Sequence, residues 1–261
     1  MIVVDTGDRR VEPILARIYS LAFLEQRYGF NDLYRIYEEV FDRVPLSLLR
    51  YEWFLKNVSR PSLGFYAVLK RAVDIVGGLF MGIITLIATP FVAMLLQLEY
   101  PGAVFISQER IGQYGTRVWA YKFRTMRFGD RSVWQGEDEN KVSRVGAFLR
   151  KTSLDEFPQF LNVLRGEISL VGPRNDIAVL GERLAETLPY YMARYMVKPG
   201  ITGWAQINQQ YEPGNISPQS IEETKTRLAY DFYYIKNRSF GLDVLIALRT
   251  FKRMFFRVSS W

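Results

Sequence analysis

The 261-residue chain contains no cysteine and no histidine. Without cysteine there can be no disulfide, no thiolate nucleophile and no cysteine metal site. Without histidine the chain lacks the commonest general base and the commonest ligand of transition metals. Any polar chemistry therefore falls to Asp, Glu, Lys, Arg, Tyr, Ser and Thr. Carboxylates without imidazole or thiolate favour a hard cation such as Mg²⁺.

The charge of the chain is basic, with 34 Lys and Arg against 27 Asp and Glu, which gives a net charge of +7. Such a charge suits nucleic acid, anionic lipid or a polyphosphate substrate, and by itself it does not choose among them. Hydrophobic residues make up 49% of the chain, which is enough for a core and argues against disorder. Residues 1–10 are polar and of mixed charge, so no cleavable signal peptide is expected there.

One long stretch, Ile75 to Leu98, has 24 residues and no charge. A straight helix of that length would measure about 36 Å, enough to cross a hydrocarbon core of about 30 Å. Pro90 lacks a backbone donor and predicts a kink near Thr89, whose hydroxyl can satisfy a freed carbonyl. Basic residues flank both ends, so the positive-inside rule would keep both ends in the cytoplasm. These residues leave two interpretations open: a bent helix that dips into one leaflet and returns, and a kinked spanning helix.

The remaining pattern predicts an α+β fold, mainly α-helical with a small β-hairpin or sheet. We divide the chain into an N-terminal helical extension (residues 1–62), the membrane segment (63–101) and a third domain (102–261). In the third domain, two β-rich runs around Gly112 and Gly115 predict a hairpin. Further helices are predicted at residues 145–150, 155–165, 176–196, 221–237 and 241–257.

The last of these helices is amphipathic and basic. Its apolar residues fall at helical spacing on one face, among them Val244, Leu248 and Phe251, while most of its basic residues lie away from that face. This pattern indicates a surface on anionic lipid. The alternative is a helix packed on the core with a solvated polar face.

Two adjacent acids, Asp155 and Glu156, stand out in the stretch RKTSLDEFPQF (150–160). The ordinary interpretation is a capping box, in which Ser153 caps a helix and Glu156 reaches back. Pro158 is too deep for the first helical position of that helix, so the first turn should be irregular. Adjacent helical residues point about 100° apart, so both acids can serve one site most easily at such a turn. A helix N-terminus favours anions, and acids beside cations there suit a metal-bound phosphate.

Cations surround the acidic pair in the sequence. YKFRTMR (121–127) places Lys122 and Arg124 on one face of a strand and Phe123 on the other. Arg150 precedes the acidic pair in the sequence, and VGPR places Arg174 on a rigid turn. Each cation alone is more often a solvated surface charge. Several that converge on irregular loops make phosphate recognition the stronger interpretation.

The motifs from Lys70 to about Phe240 resemble those of a known family. They read KRAVDIVGG, the Thr-Pro break, PGAVFISQERIG, YKFRTM, VGAFLRKTSLDEFPQFLNVLRGEISLVGPR, KPGITGWAQIN and YDFYYIKN. In this order they resemble the bacterial sugar transferases, monotopic phosphoglycosyl transferases that load a sugar phosphate onto a polyprenyl phosphate carrier. YRIYEEVFDRVPLSLL resembles the connector of longer, exopolysaccharide-type members.

The resemblance implies a role for each residue of the site. Asp155 would attack the sugar-bearing phosphorus of a UDP-sugar, expel UMP and form an acyl-phosphate sugar, which polyprenyl (undecaprenyl) phosphate then attacks. Glu156, with Asp155, would hold Mg²⁺. Phosphate clamps would be Lys122, Arg124, Arg150 and Arg174. The re-entrant membrane helix of the family maps onto residues 70–98, with its bend at Thr89 and Pro90. It would hold the catalytic domain and its surface amphipathic helices at the cytoplasmic face of the bacterial inner membrane.

The sequence departs from the family pattern at three places. Asn175 follows VGPR where the family usually has Pro, Gln209-Gln210-Tyr211 follows WAQIN where Gly-Arg is common, and the membrane break is Thr-Pro where Ser-Pro is commoner. The sugar is not named by these residues.

Two other classes of function are weighed against the enzyme. A catalytically inactive, membrane-docked scaffold for polysaccharide assembly has no need of the acidic pair. A nucleic-acid binder rests on charge alone, because no binding module is recognisable, and no nucleic-acid partner is expected. Three interpretations of residues 1–60 stay open: a homodimer interface, a membrane contact and a remnant of a longer ancestor.

Overall fold

The computed structural model of the chain describes residues 2–5, 8, 10–25, 28–57, 64–127, 142–211 and 218–259. The α-helices there are α1 (Leu15–Tyr19), α2 (Leu33–Phe41), α3 (Tyr51–Asn57), α4 (Gly64–Glu99), α5 (Arg144–Thr152), α6 (Phe160–Arg165), α7 (Ala178–Thr187), α8 (Trp204–Asn208), α9 (Ile221–Asn237) and α10 (Phe240–Ser259). The strands are β1 (Ile2–Val4), β2 (Phe30–Asp32), β3 (Phe105–Ile111), β4 (Arg117–Phe123), β5 (Ser169–Val171) and β6 (Gly200–Thr202). A helical protein with small sheets is therefore confirmed.

Short non-α turns complete the described secondary structure. Three of them, 3₁₀ turns at Glu12–Ile14 and Leu46–Leu48 and a π-helical turn at Ser20–Leu24, interrupt the predicted helical extension. The others are 3₁₀ turns at Gln113–Gly115, Leu154–Gln159 and Tyr191–Met196. The strands pair as parallel β1–β2, antiparallel β3–β4 and parallel β5–β6.

Contacts divide the chain into two compact units. The first unit contains residues 1–60 and 210–236, and the second contains 61–209 and 237–261. In the first unit α9 packs with the N-terminal residues: the Val44 N–H donates to the Ala229 carbonyl at 3.1 Å, and Phe232 contacts the rings of Trp53 and Phe54. Helix α9 thus groups with the N-terminal segment in space, whereas the sequence interpretation placed it in the third domain.

The hairpin of the second unit was predicted and is confirmed. Its register runs from the pair Phe105 and Phe123 to the pair Ile111 and Arg117, and the two phenylalanine rings stack with their centroids 5.0 Å apart. The turn uses two left-handed residues, Tyr114 (φ 56°) and Gly115 (φ 77°). Phe123 is buried, so its face of β4 points into the core, as the alternation of YKFRTMR predicts.

Helix α4 contains the apolar stretch and is long and apolar enough to cross a membrane by length and composition. It is continuous from Gly64 to Glu99 with Pro90 inside it, so the predicted break does not interrupt the helix. The Thr89 hydroxyl donates to the Thr85 carbonyl at 2.6 Å, not to the Leu86 carbonyl that loses its usual partner at the proline. A bend at Thr89 and Pro90 stays a prediction.

Charged side chains anchor the first half of α4 to the rest of the second unit. The Arg71 guanidinium donates to the Val163 and Leu164 carbonyls in the last turn of α6, at 2.6 and 2.5 Å. The Lys70 ammonium reaches the Asp243 carboxylate of α10 at 2.8 Å. Buried Asp74 accepts from the Ser169 hydroxyl and from the next backbone N–H of β5, both at 2.9 Å. The motif KRAVD therefore ties α4 to three other elements.

Packing against other elements of the second unit continues along the rest of α4. A Cβ on Gly82 would lie 2.9 Å from the Phe160 ring, so the absence of a side chain lets α6 approach closely. Beyond Pro90, Val92 and Leu96 enter a core cluster with Phe123 and Leu149. At the end of α4, the Glu99 carboxylate accepts from the first backbone N–H groups of α5 at 2.6 and 3.0 Å.

Candidate active site

The acidic pair lies where α5 ends. Ser143 caps the start of α5 by accepting from the Gly146 N–H at 2.9 Å. Ser153 ends this helix in the left-handed conformation, with φ 57° and ψ 16°. The chain then continues as a 3₁₀ turn from Leu154 to Gln159, and we call residues 153–159 the acidic turn. Asp155 and Glu156 therefore sit at a junction of two helical segments and not in a regular α-helix.

The capping-box interpretation of the acidic pair is wrong. The Ser153 side chain makes no capping hydrogen bond, and the Ser153 N–H donates to the Arg150 carbonyl at 3.2 Å as the last bond of α5. The Glu156 side chain does not reach back either, because it pairs with Arg174. The irregular turn expected from Pro158 is confirmed, and α6 begins only at Phe160.

Arg174 binds Glu156 through both arms of its guanidinium. Nη1 lies 3.1 Å from Oε2, and Nη2 contacts Oε1. Burial alone would raise the pKa of Glu156, but the charge and hydrogen bonds of Arg174 outweigh it and hold that pKa well below its ordinary value. Glu156 is therefore a firmly ionised carboxylate, and both of its oxygens are engaged by one cation.

Asp155 has the opposite electrostatic character. Burial, and after it the negative charge of Glu156, raises the pKa of Asp155 to about 6. The nearby cations Arg174, Lys122 and Arg150 lower it, but they do not compensate. Two adjacent carboxylates thus differ in basicity, and Asp155 is the more basic of the pair.

The four predicted phosphate-binding cations are not placed alike. Arg150 donates from Nε to the Thr125 hydroxyl at 2.9 Å, and the charges of Lys122, Arg150 and Arg174 all act on Asp155. Arg124 is buried, and its guanidinium contacts the backbone carbonyl of Tyr100 in the segment after α4. Three of the cations are therefore brought to the acidic pair, and Arg124 is committed to joining the end of the hairpin to α4.

A close backbone approach holds α5 beside the end of the hairpin. A Cβ on Gly146 would lie 2.0 Å from the Thr125 carbonyl oxygen, so only glycine fits there. The contact brings Arg150, one helical turn further along α5, to Thr125. This contact was not predictable, because nothing in VGAFLR distinguishes a packed glycine from an ordinary helix residue.

Arg110, which was not predicted to lie at the site, holds the loop after β5. Arg110 of β3 donates from Nη1 to the Asn175 carbonyl at 2.7 Å and to its side-chain oxygen at 3.3 Å. Asn175, which replaces the usual proline, is thus a buried acceptor for Arg110. The charge of Arg110 also lowers the pKa of Glu156. The place of Arg110 in the motif QERIG was the only sequence signal for it, and its contact with Asn175 could not be predicted from the sequence.

The two acids fit a divalent cation in their chemistry. Mg²⁺ is commonly bound by one or two carboxylates together with substrate phosphates, and a carboxylate oxygen can accept more than one partner. Among the described residues no group of three acidic side chains could hold a metal. Asp155 and Glu156 are therefore suited to a cation that a phosphate-bearing substrate helps to hold.

Comparison with known proteins identifies the family. Residues 65–257 match the model of the bacterial sugar transferase family. This match covers more than half of the chain and includes α4, the hairpin, the acidic turn and the loop with Arg174. The chain belongs to the bacterial sugar transferase family.

Curated relatives have the following names. Over 237 residues the chain is 37% identical to the UDP-glucose:undecaprenyl-phosphate glucose-1-phosphate transferase of Escherichia coli K12, covering 88% of this chain and 48% of the relative. It is 37% identical over 199 residues to the UDP-N-acetylgalactosamine-undecaprenyl-phosphate N-acetylgalactosaminephosphotransferase of Aeromonas hydrophila, covering 72% and 44%. It is 36% identical to the exopolysaccharide production protein PSS of Rhizobium leguminosarum, covering 70% and 93%. The chain spans about half the length of the first two.

Proposed function

We propose that the chain is a phosphoglycosyl transferase that moves a hexose-1-phosphate from a UDP-sugar to a polyprenyl (undecaprenyl) phosphate and releases UMP. This reaction would initiate bacterial exopolysaccharide or glycoconjugate assembly. The observation that carries the proposal is the geometry of the two adjacent carboxylates: both oxygens of Glu156 are bound by Arg174, and those of Asp155 are not. The raised pKa of Asp155 and the lowered pKa of Glu156 agree with this difference. The names of the relatives support the donor and acceptor classes, and they differ in the sugar.

In this proposal Asp155 is the nucleophile. Its carboxylate oxygen attacks the phosphorus that bears the sugar, the bond from that phosphorus to the bridging oxygen breaks, and UMP leaves with that oxygen. An oxygen of the polyprenyl phosphate then attacks the same phosphorus and breaks its bond to Asp155. The lipid-linked diphosphate sugar leaves, and Asp155 returns as a carboxylate. A covalent intermediate of this kind predicts ping-pong kinetics.

The electrostatics of the two acids favour Asp155 over Glu156 as the nucleophile. A more basic carboxylate is the better nucleophile, and at neutral pH an acid with a pKa of about 6 is mostly ionised. Glu156 has a lowered pKa and both oxygens on Arg174, so it is the weaker nucleophile and the better fixed ligand. We therefore assign Glu156, with Asp155, to Mg²⁺ binding. When bound, Mg²⁺ would offset the diphosphate charge and stabilise the departing UMP oxygen.

The cations have distinct parts in this proposal. Lys122 and Arg150 are near enough to act on Asp155 electrostatically, and they would bind the diphosphate beside it. Arg174 would orient Glu156 and bind phosphate beside it. Arg124 was also predicted to bind phosphate, and its contact with the Tyr100 carbonyl favours a role in holding the site together.

Helix α4 supports a re-entrant arrangement at the membrane. Side chains on both sides of Pro90 pack on the same unit, from Lys70 to Glu99. A spanning helix would carry one of its ends away from a domain that stays on one side of the bilayer. The outer surface of α4 is apolar and exposed, with Phe80, Leu86, Ile87 and Phe91 each more than 60% exposed. A helix that dips into one leaflet with its outer face in lipid satisfies both observations.

Helix α10 adds a second apolar surface. Leu248 and Phe251 are exposed, and Val244 is partly so, while Ile246 on the other side is buried. The alternative of packing this face on the core is therefore not supported. With its basic residues, α10 would lie on anionic lipid. Together α4 and α10 favour a monotopic protein at the cytoplasmic face of the inner membrane, where a soluble UDP-sugar and a lipid phosphate can both reach Asp155.

The proposed function is tested by UMP release. The wild-type protein in lipid, with Mg²⁺ and undecaprenyl phosphate, is given UDP-glucose, UDP-galactose and their N-acetylated forms in turn. Release with at least one sugar, lost in Asp155→Asn, is expected and would name the donor. If folded, lipid-held protein releases no UMP from any of these sugars, the inactive scaffold is favoured.

The membrane topology is tested by cysteine labelling, which needs no background removal because the chain has no cysteine. Phe65→Cys and Leu98→Cys place single thiols at exposed positions near the two ends of α4, and Tyr114→Cys marks the hairpin turn. In intact cells a membrane-impermeant maleimide is expected to label none of the three, and all three after permeabilisation. Labelling of one end of α4 in intact cells would establish a spanning helix instead.

A further inference from the structure

A buried network lies behind the loop that presents Arg174. The Asp176 carboxylate oxygen Oδ2 accepts from the hydroxyls of Tyr191 at 2.6 Å and Tyr195 at 2.5 Å, and from Nη1 of Arg194 at 2.6 Å. Arg194 has no exposed surface, and each tyrosine is 1% exposed. Three donors thus converge on one buried carboxylate oxygen, which fixes the backbone two residues after Arg174.

Arg194 connects this network to the acidic turn. While Nη1 holds Asp176, Nη2 donates to the backbone carbonyl of Arg174 at 2.8 Å. The Arg174 guanidinium in turn binds Glu156. A continuous series of contacts therefore runs from Asp176 through Arg194 and Arg174 to Glu156, which adjoins Asp155.

The same loop is held from the hairpin side. Arg110 donates to the Asn175 carbonyl at 2.7 Å, and the Ile111 N–H donates to the Asp176 carbonyl at 3.0 Å. Three successive residues, from Arg174 to Asp176, thus have their backbone carbonyls fixed from two directions. Arg174 is the one of the three whose side chain leaves the loop to reach the acidic turn.

We propose that Arg194 and Asp176 are positioning residues for the transfer reaction. They fix the backbone of Arg174, and through its guanidinium they orient the Glu156 carboxylate, so that Asp155 is the carboxylate that reacts. A buried ion pair is weak evidence for stability, because desolvation offsets much of its attraction. Its value here lies in orientation, since a displacement of about 1 Å at a catalytic group can cost up to about 100-fold in rate. The inference rests on the proposed function.

The test is a double-mutant cycle on UMP release with Arg194→Lys and Arg174→Lys. Lysine keeps a positive charge beside Asp176, but its single ammonium does not reproduce the planar fork that reaches two acceptors. In the wild-type background Arg194→Lys is expected to lower kcat by about tenfold or more. In the Arg174→Lys background the loss should be under about threefold, because the guanidinium that Arg194 positions is already gone.

The cycle distinguishes positioning from a structural role. A smaller folded fraction lowers the rate by the same factor in both backgrounds and leaves the KM for the UDP-sugar unchanged. Positioning predicts unequal factors and a KM raised about threefold, since Arg174 is also a phosphate ligand. Equal factors with an unchanged KM would overturn the proposal.

A milder pair of variants covers the case in which Arg194→Lys does not fold. Tyr195→Phe removes one hydroxyl from Asp176, and Tyr114→Phe makes the same change at a residue that is 76% exposed on the hairpin turn. Tyr195→Phe is expected to lower kcat about threefold in the wild-type background and not in the Arg174→Lys background. Tyr114→Phe should leave kcat unchanged in both. Equal losses from Tyr195→Phe in both backgrounds would contradict positioning.

Failure of the proposed function would be recognised separately. If wild-type protein releases no UMP from any UDP-sugar, a double-mutant cycle of Tyr195→Phe and Glu156→Gln is measured by the Tm of thermal unfolding. Contact through Arg194 and Arg174 predicts that the two shifts in Tm are not additive. Additive shifts would show that the network and the acidic turn are independent.

Discussion

Helix α4 and the acidic turn are held in place by different forces. Helix α4, which has 36 residues, is fixed by apolar packing and by anchors that extend from Lys70 to Glu99. The acidic turn depends on one left-handed residue, Ser153, and on the ion pair from Glu156 to Arg174. The comparison suggests that α4 tolerates most single changes, whereas the acidic turn does not tolerate changes in charge.

The largest effect is expected at Asp155. Asp155→Asn keeps the size of the side chain and removes the nucleophile, so UMP release should fall on the order of 10⁴-fold or more, as for other covalent catalysts. The Tm should stay close to that of the wild type. Leu79→Ala on the exposed face of α4 is the control and should keep activity within about threefold. A variant Asp155→Asn with near wild-type turnover would remove Asp155 as the nucleophile.

The next effect tests whether α4 depends on its glycine contact. A side chain at Gly82 would meet the Phe160 ring, so Gly82→Leu should destabilise the protein by about 1–3 kcal/mol through overpacking. The neighbouring Ile83 is 58% exposed, and Ile83→Leu should be nearly neutral. Thermal unfolding in lipid measures both. Equal shifts would mean that α4 does not pack closely on α6.

A third prediction sharpens the electrostatic contrast inside the acidic turn. Burial and Glu156 raise the pKa of Asp155, so in protein without metal or substrate Asp155 should bind its proton near pH 6. The pKa of Glu156 is lowered, so Glu156 should stay ionised well below its ordinary pKa of 4.5. Carboxyl-selective ¹³C NMR measures both titrations, and the step near pH 6 should be missing in Asp155→Asn. Two ordinary titrations near pH 4 would contradict the assignment of roles.

The smallest effect separates a true helix cap from the rejected one. Ser143→Ala removes the side-chain acceptor of the Gly146 N–H and should cost about 1 kcal/mol. Ser153→Ala removes no capping bond and should cost less than about 0.5 kcal/mol. Chemical denaturation measures the two variants side by side. A larger cost at Ser153 would restore the capping box.

Several elements were predictable because their signals are local. The hairpin followed from two β-rich runs around Gly112 and Gly115, and the predicted helices at 145–150, 221–237 and 241–257 correspond to α5, α9 and α10. The apolar stretch in α4 was predictable from its composition alone. In each case the pattern repeats within the element, so no distant contact has to be known.

Other features were missed because distant residues decide them. The predicted helix at 176–196 is interrupted: Pro189 pushes Leu188 into an extended conformation, and Tyr190 adopts φ 61°. That break turns Tyr191, Arg194 and Tyr195 toward Asp176. The capping box failed for a similar reason, since Arg174, 18 residues away, takes the Glu156 carboxylate. The sequence therefore indicated which residues form the site but not how they are oriented.

The most direct test of the central claim is the mass of the intact protein after incubation with a UDP-sugar and Mg²⁺ in the absence of polyprenyl phosphate. The proposed mechanism predicts one UMP released per protein, a mass increase of one sugar phosphate located on Asp155, and loss of that increase when the acceptor is added. Asp155→Asn should show neither the release nor the increase. Turnover that needs the acceptor for any UMP release, with no modified Asp155, would contradict the covalent mechanism.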